Sequence, residues 1–134
     1  MKARRFIFVF LALFLMPAAA RADFYVIPTG GSAAGTQIAS LPYTISSAGL
    51  YYIKQNLTCP AGSSGITVNA DDVTLDLMGF SLIGTGSATN SGVYMSNRKN
   101  VEIRNGNVRV FGYRGIYAEG SSNMGHRVIN VRVH

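Results

Sequence analysis

The sequence predicts an all-β chain, a right-handed parallel β-helix of about three coils stacked behind an N-terminal cap. Three observations lead there. First, one pattern of glycine, alternating aliphatic residues and asparagine recurs across residues 65–134. It runs GITVNADDVTLDLMGFSLIG from Gly65, GVYMSNRKNVEIRNGNVRVFG from Gly92 and GIYAEGSSNMGHRVINVRVH from Gly115, with the glycines 27 and then 23 residues apart. Second, the alternation has period two, the period of side chains on a strand, and no three-four spacing is sustained. Third, the strand-like segments recur in the same order with matching corner residues. An antiparallel sandwich, the rival all-β architecture, would share the short strands and turns but not that ordered recurrence.

Residues 1–22, MKARRFIFVFLALFLMPAAARA, have the build of a secretory signal peptide. Lys2, Arg4 and Arg5 form a positive start, an apolar run covers residues 6–16, and Ala20-Arg21-Ala22 offers a small-x-small cleavage site. The run is too short to span a membrane, so a mature, secreted or periplasmic chain is expected from about Asp23, with no membrane span of its own. Of 12 basic residues this leader holds four (Lys2, Arg4, Arg5, Arg21) and none of the 6 acids, so the mature net charge falls from +6 to +2. Nucleic acid is therefore not an expected partner, because no basic cluster longer than Arg98-Lys99 remains. Cys59 is the single cysteine, which excludes an intrachain disulfide. With no CxxC or HExxH and with His126 and His134 far from Cys59 in sequence, no metal or other cofactor is expected.

Residues 23–64 read as the opening coil and cap, with a strand over residues 51–58 bounded by Ala48-Gly49 and Cys59-Pro60. Each later coil then follows one scheme. Ile66, Val93 and Ile116 form one inward column, and Val68, Met95 and Ala118 a second, so Thr67, Tyr94 and Tyr117 face out. Past a polar corner, Val73, Leu75 and Leu77 alternate with Thr74 and Asp76, as Val101 and Ile103 do with Glu102 and Arg104. Matching IRN (103–105) to VIN (128–130) puts Asn105 beneath Asn130 at a corner, where an amide side chain tolerates the left-handed conformation. Matching VRVFG to VRVH, in contrast, aligns Arg109 with Arg132 and Val110 with Val133 on a third strand. Because the chain stops at His134 inside a strand pattern, the stack is expected to be truncated there, or covered by something else.

Two constellations are candidates for function. Tyr94 and Tyr117 occupy equivalent outward positions on adjacent coils, and stacked aromatic faces suit sugar rings. Arg109, Arg114 and Arg132 lie on or near neighbouring strands and would favour acidic saccharides. The plainer reading of the tyrosines is a cross-strand stack that covers the sheet. Asp71, Asp72 and Asp76 are the densest acids: the first two sit in a corner ready for an Asx turn, and Asp76 should meet Arg104 one coil up, about 4.8 Å away, as a surface ion pair. Cys59, with no cationic neighbour, reads as a buried thiol.

The opening LPYTISSAGLYYIKQNLT and the coils quoted above resemble the right-handed β-helix repeat proteins of the pectin lyase-like superfamily, over residues 41–134. That resemblance implies a fold and a range of roles, from polysaccharide lyases and glycoside hydrolases to adhesins. It also implies that outward acids could bind Ca²⁺ or act as acid and base, but no second acid column stands at glycosidase spacing. The expected function is a secreted β-helix module that binds polysaccharide, with acidic glycan favoured, and that would process it only with residues from further coils. The alternative is a non-catalytic structural or surface-interaction module, adhesin-like or stalk-like, that self-associates through its open C-terminal coil.

Overall fold

A computed structural model describes residues 35–86 and 90–134. The leader expected at residues 1–22 lies outside them, as does the start of the cap. The described residues form strands and connecting turns, and every strand pair is parallel. The architecture is a β-solenoid of about four turns.

The first turn consists of β2 (Tyr43–Ile45), β3 (Gly49–Tyr52) and β4 (Leu57–Thr58), preceded by β1 (Thr36–Gln37). Next come β5 (Ile66–Val68), β6 (Val73–Asp76) and β7 (Ser81–Ile83). The third turn holds β8 (Ser91–Ser96) and β9 (Val101–Arg109), and the fourth holds β10 (Arg114–Glu119) and β11 (Arg127–Val133). A four-stranded sheet ordered β10-β8-β5-β2 makes the first face. The other strands form a seven-stranded sheet that folds along β9, whose first half pairs with β6 and whose last residues pair with β7. That fold separates a second face from a third.

The opening coil expected within residues 23–64 is present: residues 43–58 build a complete turn, because Tyr43, Thr44 and Ile45 pair in register with Ile66, Thr67 and Val68. The strand expected over 51–58 is two strands, broken where the chain turns a corner between Tyr52 and Leu57.

Stacked columns make the core. Ile45, Val68 and Met95 superpose on the first face, Tyr51, Leu75 and Ile103 on the second, and Leu57, Leu82 and Val108 on the third, all buried. Each column position removes one apolar side chain from water on both of its neighbours, worth about 1.5–3 kcal/mol per fully buried residue. On the fourth turn the columns continue but lose their cover: Val128 is 53% exposed and Val133 52%.

Corners explain the polar part of the repeat. Asp72 (φ 55°), Asn100 (φ 54°) and Gly125 (φ 72°) occupy the left-handed region at the corner between first and second faces. Asn105 (φ 56°) and Asn130 (φ 52°) do so at the bend between second and third faces, as the IRN and VIN match anticipates. The repeating glycine has a steric cause. A Cβ on Gly92 would run into Cγ1 of Val108 and the carbonyl of Gly115, and one on Gly115 would run into Cγ1 of Val133.

Candidate functional site

The first face carries the aromatic residues. Thr67 pairs with Tyr94 and Tyr94 with Tyr117, so the column expected from the alternation is present. The two rings stand 5.9 Å apart between centroids at an interplanar angle of 52°, a tilted pair rather than a flat stack. Tyr113, just before β10, sets its edge against Tyr117 at 5.3 Å and 83°. The Arg114 guanidinium covers both rings, 4.1 Å from the centroid of Tyr117 and 4.7 Å from that of Tyr113. Such contacts hold the cation and the rings in one place with few free torsions.

Glu119 completes this group. The Tyr94 hydroxyl donates to Oε1 of Glu119. The hydrogen bond to Glu119 pushes the Tyr117 hydroxyl, with a further contribution from Tyr113, up to about 12, and a similar bond raises Tyr94. In return, the hydroxyls of Tyr94 and Tyr117 hold the Glu119 carboxyl below its ordinary range. Neither Tyr113 nor Glu119 was among the sequence candidates. Glu119 was legible: two residues past Tyr117, it shares the outward parity and sits diagonally from Tyr94. Tyr113 lies in the turn before β10, outside the alternating repeat, and carried no such signal.

Of the three candidate arginines, only Arg114 joins the tyrosines. Arg109 ends β9 and Arg132 lies on β11, both on the third face. Nor do those two align with each other. Val131, Arg132 and Val133 pair with Gly106, Asn107 and Val108, so Arg132 stands over Asn107, and Val133 rather than Val131 continues the inward column of Val108. The VRVFG and VRVH match was misleading because the first corner of the fourth turn is two residues longer than that of the third. Strands β8 and β10 are 23 residues apart in register, but β9 and β11 are 25 apart.

The acids are occupied. Asp76 meets Arg104 as expected, with Nε 2.8 Å from Oδ2, but it is a buried residue and not a surface partner. Its carboxylate also accepts from the Met78 N–H at 2.9 Å, and both oxygens accept from Nδ2 of Asn105 at 3.3 Å. Burial alone would raise its pKa, yet the Met78 N–H, Arg104 and Asn105 together hold it below the ordinary carboxylate value. The Asx turn expected of Asp71 and Asp72 is made by Asp76 instead. Asp71 and Asp72 reach across to the next coil, accepting from the Lys99 N–H at 3.0 Å and from Nδ2 of Asn100 at 2.8 Å. Glu102 is tied to Arg104 and Arg127 on the second face.

The remaining reactive groups are structural. Cys59 is buried, its thiol donates to the Ser63 carbonyl at 3.2 Å, and burial pushes its pKa up. The Val101 N–H donates to Nδ1 of His126 at 3.3 Å, which leaves Nε2 to donate to Oδ1 of Asn123 at 3.2 Å. Among the described residues no group of three or more His, Cys, Asp or Glu is placed to hold a metal ion, and no helix is long and apolar enough to cross a membrane. Compared with known proteins, the chain matches no family model, no curated protein and no solved structure.

Proposed function

We propose that the chain is an extracytoplasmic β-helix module of pectin lyase-like type, exported by residues 1–22, that binds polysaccharide on its first face. The observation that supports this is the cluster of Tyr94, Tyr113 and Tyr117 around Arg114: aromatic surface for sugar rings, a cation, and the Glu119 carboxylate as hydrogen-bond acceptor, all on one side of the sheet. Processing of the glycan would need acids or bases from further coils. Replacing Tyr94 and Tyr117 together by Ser should abolish retention on an acidic polysaccharide matrix while leaving the β-sheet circular dichroism intact.

The second reading is a structural or adhesin-like module, and the uncovered ends of two core columns, Val128 on the second face and Val133 on the third, favour it. Apolar column ends of this kind fit further β-structure stacked on the fourth turn, supplied by more coils or by another subunit. Retention unchanged by the double substitution would remove the glycan site and leave this second reading in its place.

A further inference from the structure

The bend between the second and third faces forms an open groove of about 520 Å³, within the size range of small-ligand sites. Three successive turns line it: Gly79 from the second, Asn105, Gly106 and Asn107 from the third, and Asn130 and Arg132 from the fourth. Its shape follows from the backbone. Gly106 is drawn so close to Leu77 and the Phe80 carbonyl that no Cβ would fit, whereas a Cβ on Gly79 would meet nothing within 4 Å. Gly106 thus lets the bend pack tightly against the second turn, and Gly79 leaves the groove wall without a side chain.

Its polar groups, set beside the apolar Val128 and Val131, are rich in donors. Arg132 offers five N–H donors, each asparagine amide offers two with one acceptor oxygen, and no acid lines the groove. Asn105 commits its amide nitrogen to Asp76, whose charge Arg104 already compensates. The side chains of Asn107, Asn130 and Arg132 have no hydrogen-bond or ion-pair partner among the described residues. A guanidinium beside free amides, about one strand spacing apart, presents donors to a carboxylate and, next to it, groups of mixed polarity to hydroxyls.

We propose that this groove is a second saccharide subsite, which recognises the carboxylate of a uronate unit through Arg132 and its flanking hydroxyls through Asn107 and Asn130. The ligand class rests on the polysaccharide reading above, but the site lies on a different face and can be tested separately. Isotope-labelled protein would be titrated with a diuronate, its neutral disaccharide counterpart and acetate, following the side-chain N–H resonances of Asn107, Asn130 and Arg132 and the ring resonances of Tyr94 and Tyr117.

The diuronate should produce saturable shifts at these groups that the neutral sugar and acetate do not. Arg132→Gln should weaken binding roughly 10- to 100-fold, the range for losing a charge-assisted hydrogen bond. Asn107→Asp, which brings a repelling carboxylate into a groove otherwise unchanged, should weaken it comparably. Shifts confined to the tyrosines would overturn the groove and leave the first-face site standing. Shifts that persist in the groove of the Tyr94→Ser, Tyr117→Ser variant would support the groove by itself. Equal response to acetate and diuronate, or unchanged affinity in both groove variants, would also overturn the proposal.

Discussion

Replacing Asp76 by Asn changes one oxygen to an amide at the point where the second and third turns are fastened. The carboxylate accepts from the Met78 N–H at 2.9 Å, from Arg104 Nε at 2.8 Å and from Asn105 Nδ2 at 3.3 Å. Hydrogen bonds to a charged group contribute about 1.5–3 kcal/mol each, but Arg104 is about one-third exposed and water recovers part of its loss. Asn keeps an acceptor for Met78 and loses the charge, so the expected cost at neutral pH is about 1–2 kcal/mol. Asp76→Ala also leaves the Met78 N–H unpaired and should cost about 2–4 kcal/mol.

The pH dependence distinguishes this account from a packing effect. The folded-state pKa of Asp76 lies below the unfolded value of about 3.9, so the native state binds the proton less well than the unfolded chain. Its contribution is fully present above that unfolded value and is lost as the pH falls through the folded one. Urea unfolding followed by circular dichroism, from pH 7 down to pH 2, should therefore show the gap between wild type and Asp76→Asn closing in acid. A gap that is constant over that range, or absent at pH 7, would refute the reasoning.

Two further outcomes follow from the same geometry. Gly92→Ala drives a methyl group into Val108 and the Gly115 carbonyl, a β-branched side chain and a backbone atom that cannot move aside cheaply, and should cost about 1–3 kcal/mol in the same urea assay. Glu119→Gln removes the carboxylate that raises Tyr117, so ultraviolet titration should show this tyrosine falling from about 12 toward its ordinary value near 10; an unchanged titration would place the cause elsewhere.

What the sequence made legible was set by local chemistry that repeats. Ile66 with Val93, Val68 with Met95 and Tyr94 with Tyr117 follow from period two and a glycine that admits no side chain. Asn105 over Asn130 follows because few residues accept a positive φ. The position of Arg132 was obscured because two matches disagreed. The VRVFG and VRVH likeness implied an offset of 23 residues, whereas IRN and VIN implied 25, and the two extra corner residues before β11 make 25 the true register and set Arg132 over Asn107. The burial of Asp76 was equally hidden, since its surroundings come from the bend of β9 and not from its own strand.

Corner length also decides which functional groups can act together. Within one face, parallel pairing carries a side chain to the next turn in strict register, so Tyr94, Tyr117 and the diagonal Glu119 form one cluster from residues up to 25 apart in sequence. Between faces no such rule holds. Arg114 reaches the rings because it starts the same strand as Tyr117, whereas Arg109 and Arg132, equally basic, are carried round the bend to the third face. A basic residue in this fold thus gains its partner from its position along the turn more than from its neighbours in sequence. That is why the chain offers two distinct donor sets, one built on aromatic rings and one on asparagine amides, where the repeat pattern suggested a single site.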